Sequence, residues 1–232
     1  MCGRFTLTIH HFGAVVDSLQ AVIDPELLGS YRPRYNIAPG QQHWMLRSPS
    51  GRREIVAADW GLINSWAKDP SVAYRQINAR AETVAERPAF RQAFKKRRCL
   101  LPADGFYEWR GPAKAREPHW FHAPDRSLLL LAGLYEGWTE RSTGEVKTTF
   151  TIITTEANEV VRPVHHRMPV LIAQDQIDGW LTGDRPAELL APAPVKVLTS
   201  QPASPRVNSV RNDDRQCLAL DDPAVPQQLK LL

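Results

Sequence analysis

Apolar and polar positions along this chain follow strand spacing far more often than helical spacing. Runs at 42–47, 54–62, 99–101, 119–122, 128–138, 147–155, 168–172 and 195–198 carry β-branched, aromatic and aliphatic residues bounded by Gly, Pro or Asp, and they predict strands. Helical spacing occurs at 9–22 and, amphipathically, at 82–96, where Pro88 breaks the run or opens a new first turn. Residues 176–181 and 187–190 read as short helices. Because helices and strands do not alternate regularly, the pattern points away from a doubly wound parallel sheet. It predicts an α+β fold on a curved, mixed or largely antiparallel sheet. The Pro-rich stretches 191–194 and 201–205 flank one short apolar run and read as loops rather than a linker. One domain over 1–222 is expected, with 223–232 as a loose tail.

Composition narrows the class. The 232 residues are 43% hydrophobic and 23% charged, which fits a globular chain with a sizeable core and excludes a disordered, fibrous or disulfide-stapled scaffold. No apolar run reaches the roughly 18 residues of a membrane helix, and the start of the chain lacks the pattern of a secretory signal. Three widely spaced cysteines, Cys2, Cys99 and Cys217, read as reduced thiols in a cytosol or nucleoid. The net charge is +4, but eleven Lys/Arg against four acids lie between Arg75 and Arg116. Such a basic middle fits a polyanion-facing surface, although 95–98 alone also fits a solvated helix face.

No phosphate-binding glycine loop and no C-x-x-C occur, and His119 and His122 fall on opposite faces of a strand. Neither a nucleotide cofactor nor a metal is expected. Cys2 is the most informative residue. Excision of the initiator Met would leave a thiol beside a primary amine whose ordinary pKa is near 7.7–8.0. That pair can trap an aldehyde as an imine and then a thiazolidine. The same terminus can attack an amide, and a buried structural Cys is the plain alternative. Asn78 and Arg80 pair an amide with a guanidinium able to hold phosphate. Glu108 lies among aromatics, a setting that raises a carboxyl pKa. His165 supplies an imidazole close to Arg167. Each also has a structural reading, as a cap, a strand Glu or a turn His.

The stretches Met1-Cys2-Gly3-Arg4-Phe5, Arg34-Tyr35-Asn36-Ile37-Ala38-Pro39, Asn78-Ala79-Arg80, Asp104-Gly105-Phe106-Tyr107-Glu108-Trp109 and His165-His166-Arg167-Met168-Pro169 occur together and in order. In these the chain resembles the SOS-response-associated peptidase family, the abasic-site DNA–protein crosslinking proteins, from residue 2 to about 212. Asn64 departs from the family's Trp-Gly-Leu-Ile-Pro-Ser-Trp pattern, which has Pro there. The resemblance implies a single α+β domain around a β-barrel-like core, acting on abasic sites in single-stranded DNA; a monomer without cofactor is expected. It implies Cys2 as nucleophile, Asn78 as orienting residue, and Glu108 and His165 as acid–base groups. Arg80 and Arg167 would bind the flanking phosphates, and Arg4, Pro39, Trp66 and Trp109 would line the DNA groove. An N-terminal-nucleophile peptidase and a non-enzymatic single-strand binder remain as rival readings.

Overall fold

A computed structural model describes residues 2–112 and 114–218. In chain order its strands are β1 (Phe5–Leu7), β2 (Val22–Ile23), β3 (Arg34–Ile37), β4 (Gln42–Arg47), β5 (Glu54–Trp60), β6 (Asn78–Arg80), β7 (Arg98–Ala103), β8 (Gly105–Arg110), β9 (Glu117–His122), β10 (Leu129–Thr139), β11 (Val146–Glu156), β12 (Arg167–Pro169) and β13 (Thr199–Pro202). The helices are short: α1 (Phe12–Ser18), α2 (Pro25–Gly29), α3 (Arg91–Lys96) and α4 (Ile177–Leu181). The tail at 223–232 lies outside the described residues.

Five strands close on themselves in the order β11-β10-β7-β4-β5, with β5 returning to β11. Four of these pairings are antiparallel and the closing one is parallel, giving a mixed barrel. The sequence explains why the barrel is the core. β7 is buried at every position and β10 at all but two, so their near-continuous apolar runs face the barrel on one side and covering helices on the other. On that outer layer Trp180 of α4 donates to the Cys99 carbonyl at 2.8 Å and packs on Phe94 of α3.

A second, fully antiparallel sheet runs β13-β9-β8-β1-β3. It joins the barrel through one continuous segment, because β7 passes into β8 at Asp104 and changes sheet there. Gly105 permits that change: a Cβ at this position would lie 2.1 Å from Trp120 Nε1. Phe5 of β1 enters the barrel mouth, with its ring centroid 4.6 Å from His43 and 5.1 Å from Trp60. His43 is wholly buried, donates from Nε2 to the Pro102 carbonyl at 2.9 Å, and is held neutral by burial, which pushes its pKa down to about 3.

Three sequence readings change. The apolar run 195–198 forms a 3₁₀ turn, Val195–Val197, and the strand follows it at Thr199–Pro202, because Pro194 opens a turn. The amphipathic stretch 82–96 is helical only from Arg91, the chain over 81–90 running in turns and a bend. The basic run 95–98 is not one solvated face: Lys95 and Lys96 point outward, whereas Arg97 pairs with buried Glu136 and buried Arg98 donates to the carbonyls of Phe94, Lys95, Trp180 and Gly183.

Candidate active site

The site starts from how the second sheet holds the N-terminal residues. β1 lies between β3 and β8, with Phe5 opposite both Ile37 and Phe106. Tyr107 donates its N–H to the Arg4 carbonyl at 2.9 Å, and continuing that register places Gly3 opposite Glu108. Asp104 locks the arrangement. Its buried carboxylate accepts from Thr6 Oγ1 at 2.5 Å and from the N–H and hydroxyl of Thr8, both at 2.6 Å. Asn36, fully buried on β3, accepts from Arg4 at 2.8 Å and donates to the carbonyls of Val207, Ser209 and Asn212. Asp213 accepts from the N–H groups of Tyr35 and Asn36 and from the Arg34 guanidinium. The segment 203–218 thus straps the outer face of this sheet.

Cys2 is completely buried. Burial pushes its thiol far above the ordinary range, and the nearby Glu108 charge adds to the rise. Glu108 shares a face of β8 with Phe106, toward the barrel, and is 3% exposed. Desolvation raises its carboxyl to about 7, against opposing positive charge that includes Arg116. His165 Nδ1 lies 3.9 Å from Glu108 Oε1. The same nitrogen sits 3.0 Å from the backbone N–H and 3.1 Å from the carbonyl of Arg167, accepting from the first when bare and donating to the second when protonated. Desolvation pushes its pKa down, so the imidazole is neutral at pH 7. Residues 2, 108 and 165, far apart in the chain, therefore meet at one end of the barrel.

Asn78 and Arg80 stand on β6, which pairs in parallel with β11 at Ile152 to Thr154. They share one face, while Ala79 between them is buried in the core. Arg80 is exposed; Asn78 Nδ2 donates to the Ile77 carbonyl at 2.8 Å, and its Oδ1 is buried without a hydrogen-bond partner among the described residues. Arg167 is only 9% exposed and makes a bidentate pair with Glu82, at 2.6 and 2.9 Å, besides donating to the Thr154 carbonyl at 2.6 Å. The remaining groove candidates are scattered. Arg4 donates to the Val207 carbonyl at 2.6 Å and lies over the Trp109 ring, whose Nε1 donates to Asn208, on the strapped face of the sheet. Pro39 is half-buried just past β3, and Trp66 is 68% exposed on the loop after β5.

Sequence reading passed over three residues the site depends on. Asp104 and Asn36 carry no assigned role within the stretches that mark the resemblance, and only the fold brings Thr6, Thr8 and the strap to them. Glu82, two residues past Arg80, could be found as an acid in a basic stretch, but its partner lies 85 residues away.

Fold and site together define a small barrel protein in which a buried thiol, a carboxyl and an imidazole gather near the N-terminal residues. The sequence profile described as "SOS response associated peptidase (SRAP)" matches residues 1–210, and the chain belongs to that family. It is 39% identical to the abasic site processing protein YoaM of Bacillus subtilis, over 94% of this chain and 97% of that one. It is 32% identical to the chicken abasic site processing protein HMCES, over 89% of this chain and 72% of that one. A crystal structure of a Bacteroides thetaiotaomicron protein superposes with a TM-score of 0.84 at 25% identity, covering 94% of this chain and 98% of that one.

Proposed function

We propose that this protein processes abasic sites in single-stranded DNA by capturing them covalently through Cys2. The observation that carries the reading is the convergence of Cys2, Glu108 and His165 at the barrel end. The names of YoaM and HMCES, abasic site processing proteins, agree with it. An abasic deoxyribose equilibrates with a ring-opened aldehyde, and a single strand presents it without a cost of flipping.

Removal of Met1 sets the Cys2 amine beside its thiol. The amine adds to the aldehyde carbon, and loss of water gives an imine. The sulfur then adds to the imine carbon while its proton passes to the nitrogen, closing a thiazolidine. A thiol held protonated suits this order, since the sulfur is needed only after the amine has acted. Glu108, near 7, is both acid and base at neutral pH: it protonates the sugar ring oxygen for opening and relays protons in imine formation and reversal. Neutral His165 serves the sugar hydroxyl, and Asn78 Oδ1 orients the sugar or the terminus. Exposed Arg80 takes a flanking phosphate. Arg167 takes the other by exchanging its Glu82 partner. Of the other groove residues, Pro39 and Trp66 remain open to a strand, whereas Arg4 and Trp109 are engaged with residues 207 and 208 on the strapped face of the sheet.

The raised thiol weighs against a peptidase reading, because cysteine peptidases depend on a thiolate favoured by a neighbouring imidazolium. The test is a denaturing gel of the protein incubated with a single-stranded oligonucleotide bearing one abasic site. A shifted band that survives denaturant and vanishes in Cys2→Ala is expected. No shifted band from protein shown by intact mass to lack Met1 would overturn the reading.

A further inference from the structure

Away from Cys2, a cavity of about 220 Å³ opens between Asn64, Trp66, Ala89, Gln92, Lys96 and Arg97. Asn64 is 2% exposed. Its Nδ2 donates to the Ala89 carbonyl at 2.6 Å, whereas its Oδ1 is buried with no partner among the described residues. Arg97 repeats the pattern with the opposite polarity: Nη2 donates to buried Glu136 at 2.5 Å, and Nε is buried without a partner among the described residues. A buried acceptor and a buried donor left unpaired each cost free energy that a complementary ligand recovers. Trp66 adds an exposed aromatic face at the same cavity.

One acceptor, one donor and one stacking face suit a flat ring that carries an N–H beside a carbonyl or ring nitrogen, an edge on which the nucleobases differ in the order and kind of these groups. The surroundings favour a base that arrives on a polyanion. Arg87, Arg91, Lys95 and Lys96 are all exposed around α3, on the chain that leads away from exposed Arg80. Strand β11 gives the distance. Arg80 pairs at Thr154, and Glu136 under the cavity pairs at Thr149. Five residues at about 3.3 Å each separate the two levels by about 17 Å, which a bound strand crosses within a few nucleotides.

We infer that this cavity is a nucleobase pocket for one nucleotide flanking the lesion on the same strand, so that capture depends on the identity of that base. The inference rests on the abasic-strand reading above. Asn64 is its specificity determinant, because its Oδ1 is the pocket's buried acceptor without a partner among the described residues.

The experiment titrates the protein with fluorescent single-stranded oligonucleotides that carry one abasic site and are varied through the four bases at successive flanking positions. Binding is read before covalent capture, and the covalent band afterwards. One position is expected to show a spread of about five-fold or more among bases. Asn64→Ala and Asn64→Pro should flatten that spread, while Cys2→Ser keeps it and loses the covalent band. Two substitutions guard against one that fails to fold, which a thermal melt detects. Capture with no spread at any position, or a spread that persists in folded Asn64→Ala, overturns the pocket and leaves the capture reading standing. No binding and no capture with any strand overturns both.

Discussion

The barrel strands bury leucine, isoleucine and phenylalanine against one another, whereas the sheet beside them is tied by buried carboxylate and amide groups. Leu100, Leu101, Leu131, Leu134 and Ile152 are wholly inaccessible in the first region. Asp104, Asn36 and Asp213 hold strand ends by directed hydrogen bonds in the second. Apolar packing fixes volume but tolerates small shifts, while hydrogen bonds fix direction. A barrel needs the former; the proposed nucleophile near the chain terminus needs the latter. The difference teaches that stability and placement of the reactive group are separable here.

Five measurements test that separation. The largest effect is expected at the junction of the two regions, where Gly105→Ala drives a Cβ into Trp120 and the Phe121 carbonyl. A loss of about 4 kcal/mol or more in denaturant unfolding is expected, with both regions disturbed. Next, Leu131→Ala in the barrel should cost about 3 kcal/mol yet leave capture per folded molecule unchanged. Asp104→Ala should cost less, about 2 kcal/mol, and still slow capture, because the anchors of Thr6 and Thr8 are lost. Equal capture rates in these two variants would erase the distinction.

Glu108→Gln sharpens it from the site's side. The folded carboxyl titrates near 7, above its ordinary 4.5, so the folded state holds more protons across that interval and stability falls as pH rises through it. The Gln variant should lose this decline and gain about 1–2 kcal/mol at pH 8, the full shift of roughly 3 kcal/mol being a ceiling. Its adduct formation and reversal should both slow. A parent protein whose stability is flat from pH 5 to 8 would remove the argument. The smallest effect belongs to exposed Arg80: Arg80→Ala should leave stability within about 0.5 kcal/mol and lower the salt slope of strand binding by about 1.

The barrel was largely legible in the sequence, because long strands such as β10 and β11 carry enough apolar residues to declare themselves. The strands around the site were not. β1, β3 and β6 have three or four residues each, too few to show a period, and exist because neighbours complete their ladders. Cys2, Glu108 and His165 could be nominated one at a time from their chemistry, but the 3.9 Å approach of Glu108 to His165 belongs to the fold. Arg167 shows the opposite limit: its residue type announces an anion site, and its partner Glu82 is invisible without the β6–β11–β12 arrangement.

Burial of Cys2 has a consequence for the order of events during synthesis. The N-terminal residues leave the ribosome first, yet the strands that enclose them, β3 and β8, lie as far along as residue 110, and the strap that holds Arg4 follows at 207. Until those segments emerge, the first peptide bond stays within reach of an aminopeptidase; once β1 docks, the Cys2 side chain is enclosed. Removal of Met1, on which the proposed amine chemistry depends, is therefore a matter of timing, set by how long the nascent chain waits for its own later half.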